Sequence, residues 1–374
     1  CTTRAGVVAL DARPTTVVRA TPLGIAEHRA MWSAVLPEHA GAAASLAARL
    51  PVDPAVARAA VRDARALAGV DGGVPHPTAV GSHVRARIGA ALPIGVHLVH
   101  PQVGWADLVL APDKLAQLRS AVARVEHQGT VLGDWGFLAG RTGAAGVRLL
   151  FAGPSGTGKT LSAEVLAGAL GVDLLLVDLS RIVSKWIGET EKQLAAVFDA
   201  AEATRSVLFF DEADSLFGQR TEVRDASDRY ANLETAFLLS RLERYEGVAV
   251  LATNLRDHVD RAFARRLEVV VEFGEPDEAD RLELWRCHLP DAAPLDPDVD
   301  LTVLAHLYEV VGGVIRNAAV SAGFAAAADG GPIRQHHLIH AIHDEYRKAG
   351  RPFPGAPFRP SGERSEDPSC PPTC

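Results

Sequence analysis

The sequence predicts an α/β fold: a parallel five-stranded sheet, a helical domain after it and a further helical region before it. Three observations carry that prediction. Five short apolar runs alternate with helical segments after position 146, the pattern of strands joined by crossover helices. A glycine-rich segment, GPSGTGKT at Gly153–Thr160, lies between the first run and a helix, where backbone N–H groups and a helix dipole can meet an anion. After GEPDEADR (Gly274–Arg281) the strand signal stops and only helical segments follow.

The expected strands are Val147–Gly153, Leu174–Ser180, Val207–Ala213, Val248–Asn254 and Leu267–Phe273. They define a core over 104–273 and a helical domain over 274–350. The Pro-, Gly- and charge-rich end, 351–374, is expected to be disordered. At the other end the chain repeats itself. AEHRAMWSAVLP (Ala26–Pro37) parallels ADRLELWRCHLP (Ala279–Pro290), with Trp32 opposite Trp285, and Leu46–Val61 parallels Leu304–Ala319, with Arg58 opposite Arg316. Residues 1–70 are therefore expected to be a second copy of the later helical domain; two unrelated Ala/Arg-rich segments are the alternative. The Gly-, Pro- and His-rich 71–103 is expected to be a linker.

At 374 residues and 48% hydrophobic content the chain can build more than one domain. Net charge −8 argues against a nucleic-acid or anionic-membrane surface, and no apolar run approaches a bilayer span. Four scattered cysteines fit a reducing cytoplasm. The chain opens on Cys1, with its only methionine at Met31, as a fragment of a longer product would. His336, His340 and His343 share one helix face but lack the carboxylate of H-E-x-x-H, so surface histidines are expected rather than a metal centre.

The loop Gly153–Thr160 fits G-x-x-x-x-G-K-[ST]. Its glycines let backbone N–H groups converge on phosphates, Lys159 supplies a point charge, and the Thr160 hydroxyl suits Mg²⁺. In VLFFDEAD (Val207–Asp214) an apolar strand runs straight into acids. Asp211 suits Mg²⁺ held through water, and Glu212 suits a base that orients attacking water. Asn254 ends the fourth strand and can position that water. Arg265 and Arg266 precede the fifth, where a guanidinium can neutralise transition-state charge on a neighbouring subunit.

This order of motifs resembles an AAA+ ATPase over 104–350. The resemblance implies the P-loop NTPase fold with strand order 5-1-4-3-2, a C-terminal helical lid, ATP and Mg²⁺ as cofactors, and a homo-oligomeric ring, a hexamer, acting on protein substrate. It implies nucleotide contacts from Gly153, Pro154, Ser155, Gly156, Thr157, Gly158, Lys159, Thr160, Leu161, Asp211 and Arg316, the last as a lid arginine sensing the γ-phosphate. Leu179–Leu194 is similar to the clade of katanin, spastin and the ESCRT-disassembling ATPases. That likeness implies that Lys185, Trp186 and Ile187 line a pore gripping extended polypeptide, with 218–232 as a second pore loop or plain charged surface. The narrower likeness, in GWADLVL (Gly104–Leu110), WGF (Trp135–Phe137) and Asp228–Gly247, is to bacterial AAA ATPases of contractile, phage-tail-like injection systems, several of which carry a degenerate AAA module ahead of the active one. An ATP-driven assembly switch or scaffold that threads nothing is the rival; a nucleic-acid loader is disfavoured by charge.

Overall fold

The computed structural model describes residues 23–50, 52–70, 74–88, 92–93, 95–138, 143–182, 189–214, 236–254 and 265–356. Four helices come first: α1 (Ile25–Val35), α2 (Ala43–Arg49), α3 (Pro54–Val70) and α4 (Pro77–Ile88). The α/β body follows with β1 (Val96–Val99), α5 (Pro112–Glu126), β2 (Val147–Ala152), α6 (Lys159–Leu170), β3 (Leu174–Asp178) and the single turn α7 (Leu179–Ile182). It continues through α8 (Glu189–Thr204), β4 (Val207–Asp211), helical residues 236–244, β5 (Val248–Thr253) and β6 (Val269–Glu272). The last four helices are α9 (Glu278–His288), α10 (Leu301–Leu307), α11 (Gly312–Ala328) and α12 (Gln335–Lys348).

The sheet has six strands in the order β1-β3-β4-β5-β2-β6. The five expected strands stand in the expected succession, read from the β6 edge inward. The expectation of five all-parallel strands misses β1, which pairs antiparallel with β3 and makes the sheet mixed. Four residues, VHLV, in a Gly- and Pro-rich stretch are too few to show a period. The same stretch holds α4, so 77–88 and 96–99 form a helix and a strand within the range where a linker was expected.

All six residues of β2 and of β5 are buried, which is why these strands read as continuous apolar runs. Their side chains still alternate. Val147, Leu149 and Phe151 pack on one face with Val207, Phe209, Val250 and the helices α5 and α6. Leu150, Leu208, Phe210 and Leu251 pack on the other with α8 and Leu238 and Leu242. A sheet covered on both faces leaves its chemistry to the loops at the C-terminal ends of its strands.

The last four helices form their own core around Trp285, Tyr308 and Ile315. Asp277 and Asp300 cap α9 and α10, accepting from Asp280 N–H at 2.8 Å and Thr302 N–H at 2.9 Å. Residues 351–356 continue this body rather than starting a disordered tail: Phe353 stacks on Tyr308 with ring centroids 5.4 Å apart, and the Tyr308 hydroxyl donates to Gly355 O at 3.0 Å. Residues 357–374 lie outside the described residues.

The first four helices build a third core around Trp32, Leu36 and Leu46. Their layout repeats that of the last four. Helices 43–49 and 54–70 are followed 258 positions later by 301–307 and 312–328, and α12 starts 258 positions after α4. Helix 25–35 matches 278–288 in length, with Trp32 and Trp285 each at its eighth position and each fully buried.

Candidate functional site

The loop after β2 turns on glycines in backbone conformations that side chains disfavour, with Gly156 at φ +79° and Gly158 at φ +98°. A Cβ on Gly156 would stand 3.1 Å from Val311 of the helical domain. Thr157 closes the loop by donating its hydroxyl to Pro154 O at 2.8 Å. Lys159 then opens α6, where the first N–H groups of a helix have no intrahelical partner. The residue is 8% exposed, and its ammonium donates to Gly153 O at 2.7 Å, Pro154 O at 2.9 Å and Asn254 Oδ1 at 2.9 Å. Burial pushes the Lys159 pKa below its ordinary value, opposed by the charges of Asp211 and Asp214.

Strands β2, β5 and β4 are successive neighbours in the sheet, so Lys159, Asn254 and the acids of VLFFDEAD meet at one edge. Asp211 ends β4, and its Oδ1 accepts from Glu212 N–H at 2.9 Å. Glu212 is exposed and sits at φ +53°, a left-handed conformation that costs a non-glycine residue about 1–2 kcal/mol. Such strain persists where surrounding bonds impose it. Here Ala213 N–H donates to Ala252 O at 2.9 Å, carrying the β4–β5 pairing past the turn.

The donor set fits a magnesium nucleotide. A glycine loop in backbone conformations that side chains disfavour, a lysine ammonium, an exposed Thr160 with its hydroxyl and the Asp211 carboxylate supply the backbone N–H, cationic and hard oxygen groups such a ligand needs.

The helical domain touches this edge directly. Gly313, in the first turn of α11, donates its N–H to Gly156 O at 2.9 Å. Arg316 follows on the same helix, exposed, with Nη2 3.4 Å from Asn317 Oδ1. Burial, and after it the Arg316 charge, holds His288 below the usual imidazole range.

Arg265 and Arg266 are both exposed in the turn before β6. Arg266 is held in cis by Glu243, Nε to Oε1 at 2.5 Å. Among the described residues Arg265 has no ion pair. Beneath the turn lies Arg148, buried in β2, whose guanidinium grips both oxygens of Glu268 at 3.0 and 2.9 Å.

Residues 149–275 match the family model "ATPase family associated with various cellular activities (AAA)". This segment is an AAA ATPase domain. The chain is 36% identical to Protein CdcH of Halobacterium salinarum over 161 residues, 42% of this chain and 22% of that protein. It is 31% identical to the proteasome-activating nucleotidase of Aeropyrum pernix over 228 residues, 59% of this chain and 56% of that one. With the 26S proteasome subunit RPT4 of Saccharomyces cerevisiae it shares 32% over 189 residues, 48% of this chain and 43% of the subunit. The chain thus spans from about a fifth to just over half the length of these relatives.

The AAA domain brings together Gly153–Leu161, Asp211, Glu212 and Asn254, with the start of α11 against them. Arg265 and Arg266 stand apart at the surface. Lys185, Trp186 and Ile187 lie outside the described residues, as does 218–232. Asp214, Arg148 and Gly313 were not anticipated. Asp214 had a signal, a third acid two residues after Glu212; Arg148 had none, because a lone arginine in an apolar strand does not announce its partners.

GWADLVL has a structural role in the α/β body. Asp107 Oδ2 accepts from Gly104 N–H at 2.7 Å, Leu108 enters the core, and Arg119 lies 5.4 Å over the Trp105 ring. Trp135 and Phe137 of WGF are exposed. Two of the histidines of α12, His336 and His337, gather with Asp329. Both ring nitrogens of His337 are occupied: Nδ1 accepts from Arg334 N–H at 3.1 Å and Nε2–H donates to Asp329 Oδ2 at 3.0 Å, so this is a helix cap and a side-chain hydrogen bond. Among the described residues no helix is long and apolar enough to cross a membrane.

Proposed function

We propose that this chain hydrolyses ATP and works as a subunit of a homo-oligomeric AAA ring, a hexamer, that remodels protein substrates. The observation that carries the hydrolytic reading is the meeting of Lys159, Asn254, Asp211 and Glu212 at one edge of the sheet, with Lys159 Nζ 2.9 Å from Asn254 Oδ1.

In this reading the loop N–H groups and Lys159 hold the phosphates, and Thr160 and Asp211 hold Mg²⁺, which neutralises charge on the transferring phosphoryl group. Glu212 orients and polarises water, Asn254 positions it, and Arg316 approaches the γ-phosphate from the lid. Arg265 and Arg266 act on the neighbouring subunit's nucleotide. The pairing of Arg266 with Glu243 favours Arg265 as the residue that reaches across. Lys185, Trp186 and Ile187 grip the polypeptide, since an aromatic face offers contact to almost any side chain.

The proteasomal names of two relatives support a protein substrate. A contractile injection system as the place of work rests on the resemblance of the GWADLVL, WGF and 228–247 segments alone. The repeat of helices 25–88 in 278–348 supports the first four helices as the lid of a degenerate AAA module.

The test is the Glu212→Gln protein. It should bind ATP, lose hydrolysis by at least about 100-fold, and co-purify with its neighbours and substrate. Turnover at the wild-type rate would overturn the hydrolytic reading. If Trp186→Ala leaves substrate remodelling and substrate-stimulated hydrolysis unchanged, the chain is an ATP-driven switch or scaffold instead.

A further inference from the structure

The strand ends that carry Glu212 and Asn254 are tied together by one side chain that none of the motifs requires. Asp214 follows Glu212 by two residues and lies in the turn after β4. Its Oδ1 accepts the Thr253 hydroxyl and the Asn254 backbone N–H, the latter at 3.1 Å, and its Oδ2 stands 3.2 Å from the same N–H. A carboxylate accepting a backbone N–H and a hydroxyl makes charge-assisted bonds about twice as strong as neutral ones. Both bonds land on the last residue of β5 and the one after it.

That placement has a geometric consequence. Ladder pairing between β4 and β5 ends at Phe210–Leu251. Beyond it the Ala213–Ala252 bond and the Asp214 carboxylate hold the two loop starts in register. The Asn254 side chain is on the far side of this tie, and its Oδ1 accepts from Lys159 Nζ. A run of bonds therefore leads from the acidic turn through the Asn254 backbone to its amide and on to the lysine of the phosphate loop.

We infer that Asp214 is a positioning residue for hydrolysis: it fixes Asn254 against Glu212 and Lys159 without itself touching substrate. The inference rests on the hydrolytic reading above. Misplacing a catalytic group by about 1 Å can cost on the order of 100-fold in rate, whereas nucleotide held by the loop backbone need not notice.

The experiment is a double-mutant cycle on the full chain, with ATPase kinetics and ATP affinity measured for Asp214→Ala, Asn254→Ala and the pair. Asp214→Ala is expected to lower kcat by about 10- to 100-fold, with the dissociation constant of ATP within about threefold of wild type. In the Asn254→Ala background the same substitution should cost little more, because the group it positions is gone. Asp214→Asn, which keeps one acceptor oxygen, should recover part of the lost kcat. Multiplicative losses in kcat, or a loss confined to ATP affinity, would overturn the inference. If Asp214→Ala does not fold, the cycle is run with Asp214→Asn, whose smaller loss must likewise vanish beside Asn254→Ala. Wild-type turnover by Glu212→Gln would sink the hydrolytic reading itself; an inactive Glu212→Gln with multiplicative losses in the cycle would sink only the role of Asp214.

Discussion

Replacing Arg148 with alanine removes the group that holds the start of β6, and with it the turn bearing Arg265 and Arg266, against the body of the sheet. Arg148 is 9% exposed, and its guanidinium donates to both Glu268 oxygens and to four carbonyls: Leu242 at 3.2 Å, Glu243 at 3.0 Å, Gly143 at 3.2 Å and Gly146 at 3.4 Å. Taking away one partner of a buried ion pair costs about 3–5 kcal/mol, because the other charge stays behind uncompensated. Here the carboxylate left behind is 17% exposed on its side chain, which admits some water and argues for the lower half of that range. At about 2–4 °C per kcal/mol for a domain of this size, melting should fall by roughly 6–16 °C. The assay is a thermal melt of wild type, Arg148→Ala and the double variant Arg148→Met with Glu268→Leu, at one protein concentration. The double variant should recover most of the loss, since apolar replacement of a buried pair is often neutral. A single variant melting within about 2 °C of wild type, or a double variant no better than the single, would refute the account of Arg148 as an electrostatic clamp.

The lysine of the loop gives a pH prediction. Lys159 titrates below its unfolded value, so its charged form is disfavoured by folding, and that penalty lifts as pH rises through the folded pKa toward the unfolded one. Asp211→Asn removes an attraction that raises this pKa, so carbon-detected NMR titration of the five lysines should find Lys159 shifted further down; an upward shift contradicts the electrostatic account. Gly313→Val places a Cβ 3.1 Å from Gly156 Cα, and overpacking of about 1–3 kcal/mol should loosen the lid from the loop. Titration of a fluorescent ATP analogue should read this as about 5- to 100-fold weaker binding, and unchanged affinity would deny the contact a role. Trp32 donates Nε1–H to Leu50 O at 3.0 Å, while the buried Trp285 Nε1 has no partner among the described residues. Trp32→Phe should therefore cost about 1–2 kcal/mol more than Trp285→Phe in denaturant unfolding, and the reverse order would contradict these assignments.

The sheet was legible in the sequence where burial on both faces made continuous apolar runs, as in β2 and β5, and where a motif fixed the strand end. It was illegible at β1, whose four residues pair by backbone at an edge and carry no apolar run. Of the candidate site, the sequence singles out residues where the proposed chemistry requires a given side chain, as at Lys159, Asp211 and Glu212, and the structure brings these to one edge of the sheet. Asp214 and Arg148 act through backbone groups of residues distant in sequence, Asn254 and Leu242 among them. A backbone carbonyl or N–H leaves no trace in residue identity, so such contacts become visible only when the strands are side by side.

The two four-helix bodies agree where each packs its own core and differ where one of them meets the phosphate loop. Leu46, Ala47, Ala60, Ala64, Val80 and Val84 are buried, and so are Leu304, Ala305, Ala318, Ala322, Leu338 and Ile342, each 258 positions later. The apolar skeleton is thus kept in size and place. The departures fall where α11 meets the phosphate loop. Pro54 and Ala55 stand at the positions of Gly312 and Gly313, and Arg58, counterpart of Arg316, donates to Pro54 O of its own helix at 3.2 Å. The N-terminal body has instead an outward contact the other lacks: Arg49 Nη2 lies 3.4 Å from Glu126 Oε1 on α5, where the equivalent Leu307 has no charge. Both bodies have to fold, because an unpacked amphipathic helix exposes apolar surface at about 25 cal/mol per Å², whereas among the described residues the C-terminal one also meets the phosphate loop, through Gly313 N–H to Gly156 O. Shared core positions beside altered loop-facing ones are what that asymmetry of constraint leaves behind.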